Sequence, residues 1–150
     1  MQKIVPNLWF AGNASEAVDF YTSVFKDSKI ISTSRYPKEG LADFQKSLAG
    51  KVLTIEFELN GLRFVAINAG DNFKFTEAIS FAVPCKDQEE IDYYWGKLST
   101  QPVAEQCGWC KDQYGLSWQI VPANMEALMK KPGAFEVLMK QKKIIISEYR

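Results

Sequence analysis

Apolar and polar residues alternate most cleanly in the middle of the chain. From Val52 to Leu59, an extended strand puts Leu53, Ile55, Phe57 and Leu59 on one face and Thr54, Glu56 and Glu58 on the other. Asn60-Gly61 then marks a tight hairpin turn, and Leu62–Asn68 reads as the return strand. Upstream, Ile4–Phe10 is a short apolar strand candidate and Lys29–Tyr36 is a β-branched one ended by Pro37. Between them the period changes. Ala17, Phe20, Tyr21, Val24 and Phe25 recur at helical spacing, with Asn13 or Ser15 as the cap and Glu16 in the first turn. Pro37–Gly50 reads as a polar loop. The first part of the chain is therefore predicted as strand, helix and three strands.

The same order returns further on. Glu77–Cys85 is predicted as a strand, with Ile79, Phe81 and Val83 opposite Ala78, Ser80 and Ala82. Asp87 can cap a helix to Leu98 whose buried stripe is Ile91, Tyr94, Trp95 and Leu98. Pro102–Gln106 and Gly108–Asp112 are weaker strands, and a turn at Gln113-Tyr114-Gly115 leads into Leu116–Val121. The residues echo one another as well. Glu16, Asp19 and Tyr21 fall on Glu89, Asp92 and Tyr94, and Gly61-Leu62-Arg63-Phe64 falls on Gly115-Leu116-Ser117-Trp118. A duplicated module of about 60 residues accounts for both echoes. The expected organisation is an α+β domain over 1–122, with βαβββ modules at about 4–70 and 77–122 and a cupped mixed sheet. A helical extension, 123–150, follows. There Met125, Leu128 and Met129 line one short helix, Phe135, Leu138 and Met139 line another, and Pro132-Gly133 separates them. This extension is expected to cover the domain or a partner.

Composition narrows the chemistry. Lys plus Arg and Asp plus Glu are 18 each, so no basic footprint marks a nucleic-acid partner or an anionic membrane surface. No apolar run approaches the roughly 20 residues of a spanning helix. The opening MQKIVPNLWF lacks the apolar length of a signal peptide, and a cytoplasmic protein is expected. The chain has no histidine, which removes the commonest metal ligand and the commonest acid–base group. Cys107-Gly108-Trp109-Cys110 is a CxxC without a following helix to lower a thiol pKa. On one extended strand its ends would stand about 10 Å apart, too far for a disulfide. Cys85 reads as a buried small hydrophobe.

The stretches PNLWFAGNASEAVDFYTSVF, FELNGLRFVAINAG, FKFTEAISF, EEIDYYWGKL and CGWCKDQYGLSWQIVP resemble the vicinal oxygen chelate superfamily. Its members include glyoxalase I, extradiol dioxygenases and bleomycin-resistance proteins. The resemblance is closer to the PhnB-like branch, often labelled 3-demethylubiquinone-9 3-methyltransferase-like, and covers roughly residues 4–122. It implies tandem βαβββ modules and a homodimer. Metal-dependent members bind their ion through four His or Glu/Gln side chains, and the matching positions here are Pro6, a residue near Val65, Ala78 and Gln119. Only Gln119 could ligate, so no metal or other cofactor is expected. The methyltransferase label would need a glycine-rich turn between a strand and a helix, but Ala11-Gly12-Asn13 offers a single glycine.

The expected function is the binding of a small organic molecule in a metal-free cavity between the two polar sheet faces. Thr54, Glu56, Ser80, Ser117 and Gln119 would give polar contacts, and Phe73, Phe75 and Trp109 would stack on the ligand. Trp9 and Trp109 are expected at the same mouth. Glu56 or Glu77 could serve as a base if the cavity closes over it. The alternative is a metal-dependent lyase, isomerase or dioxygenase with non-standard ligands, such as Glu56, Glu77 and Gln119 across a dimer. A third reading is an interaction module that uses the Met-rich tail.

Overall fold

The computed structural model describes residues 2–150. It divides into two compact units, one ending at Lys74 and the other running Phe75–Arg150. In the first unit β1 (Asn7–Ala11), α1 (Ala14–Val24), β2 (Ser28–Arg35), β3 (Val52–Leu59) and β4 (Leu62–Ala69) build a sheet of order β1-β4-β3-β2. β1 runs parallel to β4 and the other pairs are antiparallel. Ile55, Phe57, Leu59, Phe64 and Ala66 form the buried face, on which α1 lays Ala14, Ala17, Val18, Tyr21 and Val24. Phe57 and Phe64 are cross-strand partners, and their rings stack at 5.4 Å. Asn60 and Gly61, at φ 49° and 86°, give the predicted hairpin both positive-φ residues of a type I′ turn.

Three local differences from the expectation matter for the site. Ile4 is 85% exposed, and the strand begins only at Asn7, past Pro6, whose carbonyl accepts from the Val65 amide. Asn13 stands at the helix N-cap, but its side chain makes no capping bond. Asn68, from β4, accepts from the Ala14 amide instead and donates to the Val52 carbonyl. Finally, Ser34 pairs with Thr54 and Arg35 with Val52, leaving Leu53 as the extra residue of a bulge. The bulge takes Leu53 out of strict alternation, so it does not continue the Ile55–Phe57 core face.

The second unit repeats the plan with one strand fewer. β5 (Ser80–Cys85), α2 (Gln88–Leu98), β6 (Trp109–Lys111) and β7 (Ser117–Pro122) give a sheet of order β5-β7-β6, with β5 parallel to β7. Asp87 caps α2, accepting from the Glu90 amide at 2.9 Å. The predicted strand at Pro102–Gln106 is absent. Pro102–Ala104 is a 3₁₀ turn with Pro102 at its start, and Val103 is 95% exposed. Only Gln106 bridges to Trp109. The tail forms α3 (Met125–Met129) and α4 (Ala134–Lys140), separated as expected at Pro132-Gly133. Leu128, Ala134, Ile144 and Tyr149 make a small core there, joined by Met125, Met129, Val137 and Leu138. Phe135 and Met139, expected on the apolar face of α4, are 65% and 48% exposed. The amides of Cys107 and Gly108 donate to the carbonyls of Gln141 and Lys142, so the tail is bonded into its own unit. Among the described residues no helix is long and apolar enough to cross a membrane.

Candidate functional site

The open face of the first sheet follows from strand parity. Trp9, Ile67, Thr54 and Ser34 lie in one cross-strand row, and Val65, Glu56 and Ser32 lie in the next. Trp9 is held from two sides. Its indole N–H donates to the Gly70 carbonyl at 2.7 Å, and Phe73 meets it edge-on at 4.8 Å between ring centroids. Across this face folds the segment between β2 and β3. Its ends are pinned where Tyr36 donates to the Lys51 carbonyl and accepts from the Gly50 amide, which makes residues 37–50 an Ω-loop. Its 3₁₀ turn, Asp43–Leu48, carries Phe44 and Leu48.

Loop and sheet flank a half-open cavity of about 460 Å³ lined by Trp9, Tyr36, Phe44, Leu48, Leu53 and Ile67, with Gln45, Ser47, Ala69, Gly70 and Asn72 completing it. The Tyr36 hydroxyl is itself satisfied, donating to the Asn68 carbonyl at 2.7 Å. Asn68 thus fixes the helix start, the strand end and the cavity wall together. None of the lining side chains carries a formal charge. This volume is within the usual range for small-molecule sites, and so is the mixture of apolar walls with a few amide and hydroxyl groups.

The expected site residues fall into two groups, one in each unit. In the first, Thr54 sits on the open face with its hydroxyl 2.6 Å from that of Ser34. Glu56 is ion-paired with Arg63 and accepts from Ser32 at 3.3 Å. Neither lines the cavity. Phe73 does not line it either and acts through Trp9, remaining 62% exposed. In the second unit, Ser80, Ser117, Gln119 and Trp109 do share one face, because Ser80 pairs with Ser117 and Trp109 with Gln119. Gln119 donates to the Ser80 hydroxyl at 2.9 Å, Ser117 is buried, and Phe75 is half-buried. Glu77 is ion-paired with Lys111, whose hydrogen bond, ahead of the hydrogen bond to Glu77's own backbone, holds the carboxyl below its ordinary range. That shift is opposite to the one a neutral-pH base needs. Trp9 and Trp109 belong to different units.

Sequence reasoning missed the loop. Phe44 and Leu48, two large apolar residues in a stretch read as polar, were the available signal, since an exposed loop has no need of them. The CxxC is not a single strand, as expected, but a turn leading into one. Cys107 and Gly108 occupy the turn at φ 54° and 85°, and Cys110 is buried on β6. All three cysteines are free thiols. Burial, reinforced by nearby carboxylates, pushes Cys85 and Cys110 up to about 12, so neither is a ready thiolate.

A superfamily metal does not fit this chain. The positions that the resemblance assigns to ligands are Pro6, a residue near Val65, Ala78 and Gln119, and Gln119 is engaged with Ser80. Among the described residues no three His, Cys, Asp or Glu side chains gather where they could hold an ion.

Tandem units of strand, helix and antiparallel strands, each closed by a parallel pairing of first and last strand, make the glyoxalase/bleomycin-resistance fold. Within it, the chain belongs to the family described as 3-demethylubiquinone-9 3-methyltransferase, whose model matches residues 2–121. A PhnB protein from Bacillus cereus with that same description is 40% identical, over 81% of this chain and 100% of its own, at a TM-score of 0.65. Protein PA1353 from Pseudomonas aeruginosa shares the fold at 17% identity and a TM-score of 0.60, over 81% of this chain and 98% of its own. The genomically encoded fosfomycin resistance protein FosX from Listeria monocytogenes shares it at 14% identity and 0.55, over 87% and 98%. No curated protein matches the chain.

Proposed function

We propose that this PhnB-like protein binds a small organic molecule in the cavity of its first unit, without a metal. The observation that carries the reading is the aromatic and aliphatic cavity of about 460 Å³ under the Ω-loop, walled by Trp9, Tyr36, Phe44, Leu48, Leu53 and Ile67. Apolar surface gathered in a half-open cavity of this kind favours a ligand that leaves water, and the peripheral amides and hydroxyl orient it. The methyl-transfer reaction in the family description does not enter this proposal. The turn from β1 to α1 carries the single glycine Gly12, and nothing lies within 4 Å of where its side chain would be.

Trp9 is the natural reporter. An aromatic metabolite library is expected to contain members that quench tryptophan fluorescence saturably in the parent protein, with the saturable component lost in Trp9→Phe. Quenching that is equal in both proteins would place the ligand elsewhere and remove the proposal.

A further inference from the structure

The cavity also specifies the class of its ligand, an inference that rests on the binding reading above. We infer that it takes a neutral, flat aromatic molecule whose polar group lies at the loop end. Three observations lead there. First, no lining side chain is charged, so an ionised ligand group drawn in against the sheet would lose its water without gaining a counter-charge. The nearest ion pair on the loop, Asp43 with Lys46, lies outside the lining, and its carboxylate side chain is 96% exposed. Second, the polar groups of the sheet side are already used. The Trp9 indole N–H is bonded to Gly70 and the Tyr36 hydroxyl to Asn68.

Third, the open hydrogen-bonding capacity gathers in the loop and at the rim. Among the described residues, the Gln45 side-chain N–H₂, the Ser47 hydroxyl and the Asn72 amide have no partner, while Gln45 Oε1 accepts from the Ala42 amide. These groups offer both donors and acceptors but no charge. Phe44 stands beside them, 83% exposed although it lines the cavity, so a flat ring entering there covers an aromatic face that now meets water. The ligand's apolar ring system therefore lies toward Trp9, Leu53 and Ile67, and its carbonyl, hydroxyl or amide group toward Gln45, Ser47 and Asn72.

The test uses two fluorescent probes that differ by one sulfonate, N-phenyl-1-naphthylamine and 8-anilino-1-naphthalenesulfonate, titrated into the full-length chain. The neutral probe is expected to saturate at one per chain and to bind about tenfold or more tightly than the anion. Ile67→Trp, which fills the cavity, is expected to abolish binding. Phe44→Ala, an exposed position whose loss leaves folding intact, is expected to weaken the neutral probe about fivefold. If the anion binds as tightly as the neutral probe and both are lost in Ile67→Trp, the ligand-class inference is overturned and the cavity reading survives. If neither probe binds, or binding persists in both variants, the cavity reading itself fails.

Discussion

Two buried polar side chains do most to set local geometry, one in each unit. The Asn68 side chain joins β4 to the start of α1 and the start of β3, and its backbone carbonyl accepts from the Tyr36 hydroxyl just past β2. Asp112 is fully buried in the turn between β6 and β7 and accepts from the amides of Tyr114 and Leu116 and from the Trp118 indole. A carboxylate here replaces its water by three N–H donors, and removing it orphans all of them in a dry site. Asp112→Ala is expected to destabilise the protein by about 3–5 kcal/mol, and Asp112→Asn, which keeps one acceptor oxygen, by about half of that. Urea unfolding followed by tryptophan fluorescence would show the difference directly. Equal midpoints for Asp112→Ala and the parent would mean that the turn does not depend on this hub.

The two hairpin turns show that the same backbone need can sit in different surroundings. Gly61 at φ 86° and Gly108 at φ 85° both occupy the left-handed region. A side chain at Gly61 would meet open space, whereas one at Gly108 would lie 2.8 Å from Ile144 Cδ1 and 3.1 Å from the Ile120 carbonyl oxygen. Gly61→Ala thus carries only the backbone penalty, about 1 kcal/mol. Gly108→Ala must also displace the tail and is expected to cost about 2–3 kcal/mol. The comparison is made by thermal unfolding of the two variants side by side, and equal losses would show that Ile144 moves aside freely.

At the scale of the whole chain, each unit closes a sheet around its own helix, and the tail completes the second unit. A truncation after Ala123 removes Leu128, Ile144 and Tyr149, all buried, together with the carbonyl partners of the Cys107 and Gly108 amides. It also removes Gln141, a buried side chain that donates to the Ile145 carbonyl and accepts from the Tyr149 hydroxyl. Losing several buried contacts at once is expected to lower the melting temperature by roughly 10 °C or more, at about 2–4 °C for each kcal/mol in a chain of this size. A truncated protein that melts with the parent would restore the tail to the status of a detachable cover.

Much of this architecture was legible in the order of residues. The β3–β4 hairpin, both major helices, the Asp87 cap and the break at Pro132-Gly133 were all read from short-range signals. Those signals are local: a period of two or 3.6 residues, a turn residue or a cap depends on neighbours a few positions away. The polar face of the second unit was likewise found, since parity fixes which of Ser80, Ser117 and Gln119 lie together once the strands pair. What parity could not supply was the cavity. It depends on a bulge that re-aims Leu53, on an Ω-loop that brings Phe44 and Leu48 over the sheet, and on Trp9 bonding to Gly70, 61 residues away. Burial at such a site is set by contacts between distant segments, and Phe44 and Leu48, the local hint along residues 37–50, do not say which surface the loop covers. Periodicity and turn chemistry therefore suffice for the elements of each module, because they depend on near neighbours, whereas the location of the cavity is a property of the folded chain alone.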